Sequence, residues 1–282
     1  MGLPMAGHLL KAGNKLIVHN RTKAKADAPI KQGATWADSP RAAAEAAEIV
    51  FICVTDTPDV EAVVLGNNGV ASAARPGQIV VDHSTISPSA TRKMAKALEA
   101  KKAFFLDAPV SGGDIGAQNA TLSIMVGGDE TAFNKVLPLF QKLGKTITYC
   151  GPSGNGQLTK LTNQVLVSIT NLAVCEALVF AKENGLDPAK TIAAIGGGAA
   201  GSWQLTNLGP RMVAGDFKPG FMIDLQQKDL RLVMQTAQES KLDLAAASLV
   251  HHFFANAQQA GRGRQGTQAL FAVVEDVAKK KK

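Results

Sequence analysis

The sequence predicts an α/β chain, with a doubly wound parallel sheet over residues 1–152 and an all-helical domain over residues 153–282. Two observations predict it. Short apolar runs rich in β-branched residues, at 49–54, 79–82 and 104–107, alternate with helical stretches, as expected of parallel strands buried on both faces. Past Gly151-Pro152 the strand pattern stops, and Leu161, Val165, Ile169, Leu172 and Leu178 recur at helical spacing with no proline between them.

Residues 3–10 read as a short helix stopped by Gly13, and Leu16-Ile17-Val18 as the strand after it. A helix over 40–47, the strand 49–54, a helix near Val60 and the strands 79–82 and 104–107 follow. Strands at 122–126, bounded by Gly127-Gly128, and at 147–150, bounded by Gly151-Pro152, complete the sheet domain. The helix over 157–184, ended by Gly185 with Pro188 beyond, would be about 42 Å long at 1.5 Å per residue, enough to span two lobes or two subunits. Helices near 225–238 and 245–260 fill the remainder.

Met1 and Gly2 stand directly ahead of the first helix, where the third glycine of a Gly-x-Gly-x-x-Gly turn lets helix pack on strand. On that reading the chain opens inside a dinucleotide site, and a strand with the first two glycines, about 10 to 12 residues, is expected ahead of Met1. Without it the strands 16–18 and 49–54 either lose their common neighbour or close on each other, and the chain binds dinucleotide poorly. About 20 residues beyond such glycines an acidic side chain ordinarily grips the adenosine ribose. This chain has Asn20-Arg21-Thr22 there, and a guanidinium suits a 2′-phosphate, so NADP is expected over NAD.

A 46% hydrophobic, 19% charged composition supports a large core. No apolar run is read as approaching the roughly 18 residues that cross a bilayer, and no leader opens the chain, so cytoplasm is expected and a membrane is not. Cys53, Cys150 and Cys175 are scattered through apolar surroundings and read as reduced core residues, and no spacing suggests a metal site. The net charge of +7 owes part of its excess to the terminal run Lys279-Lys280-Lys281-Lys282, expected to be disordered and solvated. Basic and aromatic residues do not interleave, which argues against nucleic acid and for an anionic small substrate.

The turn Ser111-Gly112-Gly113 lies just past the strand 104–107, where ligands of open parallel sheets bind, and its hydroxyl and amides suit a carboxylate. At the start of the long helix, Lys160 shares a face with Asn163 and Gln164. A lysine held there can pass a proton to a carbonyl oxygen while hydride arrives.

These segments together resemble the β-hydroxyacid dehydrogenase family, over nearly the whole chain. Its marks here are Met1-Gly2, the stretches 107–113 and 121–128, the stretch 154–164, and the stretch 216–221 running into Ile223-Asp224-Leu225 and Lys228-Asp229-Leu230. The resemblance implies a Rossmann-like domain that binds NADP, or NAD, with Met1, Gly2, Asn20, Arg21, Thr22, Val54, Thr55, Ser84, Thr85, Phe221 and Lys228 at the cofactor. It implies Lys160 as proton donor and Asn163 as its catalytic companion. Ser111, Gly112, Gly113, Gln164 and Trp203 would hold a small carboxylate substrate, with Lys228 closing over the cleft. The run 197–203 resembles the semialdehyde-reductase branch, so 2-hydroxy-3-oxopropionate is the expected substrate. Alternatives are 3-hydroxyisobutyrate, glyoxylate or succinic semialdehyde, an imine reductase, or an inactive binding protein. A homodimer or homotetramer is expected. The chain departs from the family at Gly266-Thr267-Gln268-Ala269-Leu270, where Asp-x-Ser-Ala-Leu is usual, and a weaker helix cap or subunit contact is expected there.

Overall fold

The computed structural model describes residues 1–279, so the lysines at 280–282 lie outside the described residues. The chain forms two compact units, Met1–Lys160 and Leu161–Lys282. The division falls inside the long helix.

The first unit runs α1 (Gly2–Lys11), β1 (Ile17–Val18), α2 (Asp27–Lys31), β2 (Thr35–Trp36), α3 (Pro40–Ala46), β3 (Ile49–Ile52) and α4 (Thr57–Leu65). It continues through β4 (Ile79–Asp82), α5 (Pro88–Glu99), β5 (Phe104–Asp107), β6 (Val110–Ser111), α6 (Gly113–Gln118), β7 (Leu122–Gly127), α7 (Glu130–Phe140) and β8 (Gly144–Gly151). Proline at the first helical turn, behind a capping Ser39, Asp56 or Ser87, starts α3, α4 and α5.

Strands β3, β4 and β5 pair in parallel, and all of β4 is buried, as the apolar runs required. The sheet is mixed beyond them. Strand β7 pairs antiparallel with β5 and β6 along one edge and parallel with β8 along the other. The strict alternation read from the sequence therefore fails at β6 and β7, because α6 and the three residues 119–121 are too short for a parallel crossover. Core clusters fill both faces, one around Leu106, Ile124 and Phe140, the other around Val80, Ile86 and Phe105.

Among the described residues, strands β1 and β2 pair only with each other, as a separate two-stranded sheet. Strand β3 pairs there only with β4, and Ile49, Val50 and Phe51 stay half-buried. The alternative in which the strands 16–18 and 49–54 close on each other is therefore not what the chain does. Helix α1 instead packs Met5 and Leu9 into the core with Ile79 and Val81, and His8 Nε2 lies 3.0 Å from the carbonyls of Ala117 and Gln118.

The 29-residue helix α8 (Asn155–Glu183) crosses the boundary, and Gly185 ends it at φ +76°. It is long and apolar enough to cross a membrane, contrary to the sequence reading, but half of its most apolar window is buried within the protein. The second unit then holds α9 (Pro188–Ile195), α10 (Gly209–Val213), α11 (Ile223–Glu239), α12 (Ala245–Gln259) and α13 (Leu270–Lys279). Its core gathers Leu172, Cys175 and Leu178 of α8 with Leu230, Val250, Phe254 and Leu270. Of the cysteines, Cys175 is a core residue, while Cys53 and Cys150 are only half-buried, one past the end of β3 and the other on the outer strand β8. At the departure from the family pattern no side chain caps the turn Thr267–Ala269, as expected. Gln268 compensates by donating through Nε2 to the carbonyls of Asp216 and Lys218 at 3.0 and 2.9 Å.

Candidate active site

In the first unit the expected residues after β1, β3 and β4 follow the carboxyl ends of parallel strands, where an open sheet binds ligands, whereas the Ser111-Gly112-Gly113 turn ends β6, which pairs antiparallel with β7. Asn20, Arg21 and Thr22 follow β1, Val54 and Thr55 follow β3, and Ser84 and Thr85 follow β4. Ser111 ends β6, and Gly112 and Gly113 lead from it into α6. Gly2 opens α1 against the end of β3, where a Cβ on it would meet that of Cys53 at 3.4 Å.

Hydrogen bonds join several of these positions. Val54 N–H donates to Ser84 Oγ at 3.0 Å, and the Ser84 carbonyl accepts from Gln157 Nε2 at 2.8 Å. Gln157 Oε1 accepts from Ile86 N–H at 3.1 Å. Gln157 thereby ties the first turn of α8 to the segment after β4, and Lys160, 7% exposed, follows three residues later on the same helix.

Asp107, the last residue of β5, anchors that turn. Its Oδ1 accepts from Gly154 N–H at 2.8 Å and its Oδ2 from Gln157 N–H at 2.9 Å. Both amides belong to the start of a helix, where N–H groups lack partners and the dipole favours an anion. The fit leaves no room for side chains. A Cβ on Gly156 would fall 2.5 Å from the carbonyls of Asp107 and Met125, and one on Gly127 2.8 Å from both Asp107 carboxylate oxygens. Sequence reading counted Asp107 as a motif member without assigning its carboxylate. The available signal was an acidic residue closing an apolar strand, opposite a glycine-rich helix start.

Ser111 is half-buried, and Gly112 and Gly113 adopt φ +126° and +64°, which side-chain-bearing residues rarely reach. The glycine pair is thus demanded by the turn. Arg21 is 91% exposed and pairs loosely with Asp59 at 3.6 Å, an ion pair that competes weakly with any anion. Asn20 spends Nδ2 on the carbonyl of Thr22 at 2.8 Å.

The second unit brings together Asn163, Gln164 and Lys228. Asn163 Nδ2 donates to Gln164 Oε1 at 2.8 Å, Gln164 Nε2 donates to Asp229 Oδ2 at 2.5 Å, and Asp229 Oδ1 lies 2.7 Å from Lys228 Nζ. Asp229, 2% exposed, stood in the Lys228-Asp229-Leu230 motif without an assigned role. The available signal was a charge on the apolar face of α11. Trp203 is 60% exposed and outside this series, while Phe221 is half-buried and accepts from Thr267 N–H at 2.9 Å through its carbonyl.

Residues 1–151 match the family described as the NAD binding domain of 6-phosphogluconate dehydrogenase, and residues 154–274 match that described as NAD-binding of NADP-dependent 3-hydroxyisobutyrate dehydrogenase. The chain belongs to the β-hydroxyacid dehydrogenases. It is 43% identical over 281 residues to the 2-hydroxy-3-oxopropionate reductase of Escherichia coli (strain K12), covering 100% of this chain and 96% of that one. It is 42% identical over 276 residues to the probable 3-hydroxyisobutyrate dehydrogenase-like 1, mitochondrial, of Arabidopsis thaliana, covering 98% and 82%. The Mycobacterium tuberculosis 3-hydroxyisobutyrate dehydrogenase, solved with L-serine, superimposes with a TM-score of 0.89 at 29% identity over 97% of this chain and 95% of that one. This β-hydroxyacid dehydrogenase is accordingly an NAD(P)-dependent enzyme acting on CH–OH groups. The strand ends fit the cofactor, because exposed Val54 and Thr55, the amides opening α1 and the exposed Arg21 guanidinium offer an anionic dinucleotide surface, donors and charge.

Two buried groups give the first unit opposed pH responses. Burial pushes the Asp107 carboxyl up to about 6, against the pull of the Gly154 and Gln157 amides. Burial pushes His83 down to about 4, against the Ala108 carbonyl that accepts from its Nδ1–H at 2.6 Å. For Asp107 the native chain holds a proton that the unfolded chain has released between 3.8 and about 6, so its contribution to stability falls as pH rises through that window. For His83 the unfolded chain binds a proton that the native chain refuses between about 4 and 6.5, so its contribution rises with pH. Urea unfolding of wild type and Asp107→Asn should show a difference in stability that moves by about 2 kcal/mol in favour of Asn between pH 4 and pH 7. A pH-independent difference would contradict the assignment.

Proposed function

We propose that the enzyme reduces 2-hydroxy-3-oxopropionate with NADPH. The observation that carries the reading is the placement of Lys160, buried and three residues past Gln157, the point at which Asp107 and Ser84 fix the helix to the strand ends. The likeness over the full chain to a reductase of that substrate supports the choice of substrate.

Bound NADPH would supply the hydride. The substrate carboxylate is held by the Ser111 hydroxyl and the amides of Gly112 and Gly113, which gives charge-assisted hydrogen bonds without a buried counter-ion. Lys160 Nζ gives a proton to the carbonyl oxygen as that oxygen takes on negative charge, and takes one back in the reverse direction. Asn163, one helical turn beyond Lys160, orients the substrate, and Gln164 fixes the Asn163 amide through their mutual hydrogen bond. Arg21 selects the 2′-phosphate of NADPH, since a carboxylate at this place would repel it.

A panel of 2-hydroxy-3-oxopropionate, 3-hydroxyisobutyrate, glyoxylate and succinic semialdehyde tests the substrate, with the first expected to give the highest kcat/KM. A higher kcat/KM for any other member would overturn the choice. Lys160→Ala should lower kcat by about 100-fold or more, the usual loss for a general acid, with an unchanged circular dichroism spectrum. Near-normal turnover would remove Lys160 from the mechanism. The kcat/KM ratio of NADPH to NADH should exceed one and fall below it in Arg21→Asp. A wild-type preference for NADH would contradict the cofactor assignment.

A further inference from the structure

The series Asn163, Gln164, Asp229 and Lys228 contains two amides, and an amide carries a donor at one end and an acceptor at the other. Either end can face a given neighbour, so another group must choose. A carboxylate only accepts and an ammonium only donates. Lys228 Nζ lies 2.7 Å from Asp229 Oδ1, and Oδ2 is left to Gln164 at 2.5 Å. Gln164 has to meet that oxygen with Nε2, because Oε1 in the same place would set two acceptors against each other. Its Oε1 is thereby turned to Asn163, which meets it with Nδ2 at 2.8 Å. Gln164 is buried, and so are Leu161, Leu232 and Val233, which stand three or four residues from Gln164 or Asp229 on their own helices. Water therefore offers the Gln164 amide no second arrangement.

The consequence reaches the substrate. With Nδ2 given to Gln164, the end of the Asn163 amide left outside the series is Oδ1, an acceptor. The carboxylate and carbonyl oxygens of a small oxo acid are acceptors as well, so the substrate group that suits Asn163 Oδ1 is a hydroxyl. We propose that Asp229 is a positioning residue that fixes the direction of both amides, and that Asn163 Oδ1 consequently selects a substrate bearing a hydroxyl beside its reacting carbonyl. The proposal rests on the reading of Asn163 as the residue that orients substrate. Asp229 acts only through Gln164.

The probes are 2-hydroxy-3-oxopropionate and 3-oxopropionate, which differ in that hydroxyl alone. The ratio of their kcat/KM values, measured in competition, does not depend on how much of a variant is folded. Wild type should favour the hydroxylated probe by about 10-fold, the worth of one hydrogen bond. Asp229→Asn, whose amide can offer Gln164 either end, should lower that preference to near one, chiefly by raising KM for the hydroxylated probe. Gln164→Leu, which cuts the series and leaves Asp229 with Lys228, should do the same. Without substrate, the side-chain amide protons of Asn163, followed by nitrogen-15 NMR, should exchange with water about 10-fold more slowly in wild type than in either variant. An unchanged ratio in both variants, a wild type indifferent to the hydroxyl, or equal amide exchange in all three proteins would each overturn the proposal. An equal loss on both probes would do so too, since it would mean that Asn163 recognises the reacting oxygen, which both probes share. Turnover of neither probe by wild type would instead overturn the substrate reading, and the amide exchange alone would then decide whether Asp229 sets the direction of the series.

Discussion

The Asp107 carboxylate fastens the helix that carries Lys160 to the sheet. It closes β5, lies fully buried, and takes the Gly154 and Gln157 amides at the start of α8 on its two oxygens. A surface cap of this kind contributes about 1 kcal/mol. Burial raises both the cost and the consequence, since the carboxyl is pushed up to about 6 and removing it leaves two helix-start amides without an acceptor. The geometry tolerates that cost because glycines at 127 and 156 let helix and strands approach closely. This contact, with those of the Gln157 side chain, fixes the turn from which Lys160 follows.

Gln157 extends the anchoring. Its backbone binds Asp107 while its side chain bridges Ser84 and Ile86. Ser84 in turn accepts from Val54, so the segments after β3 and β4 and the start of α8 are tied through one buried glutamine. In the second unit the series Asn163, Gln164, Asp229 and Lys228 does similar work, since Asp229 holds the Gln164 amide that receives Asn163. Each expected site residue in these two series is fixed by a buried polar neighbour.

Much of this was legible in the sequence where one chemical pattern dominates. The buried strands β3, β4 and β5 announced themselves as apolar runs, and the long helix by its period and by Gly185. Lys160 and the Ser111-Gly112-Gly113 turn were singled out because their residue types suit one chemistry. What escaped depended on partners distant in sequence. Asp107 reaches across 47 and 50 residues to its amides, and Gln164 across 65 to Asp229, separations that no local pattern encodes. The reversal of β7 escaped because it is set by a loop too short for a crossover.

The claim that Asp107 organises the start of α8 is tested most directly by hydrogen exchange at the Gly154 and Gln157 amides in wild type and Asp107→Ala. With the carboxylate present both amides should exchange slowly, and in the variant they should exchange at least about 10-fold faster, the loss of roughly 1.4 kcal/mol or more of protection, while α11 and α12 keep their wild-type rates. Equal protection of both amides in the two proteins would show that the start of α8 is held by something other than Asp107.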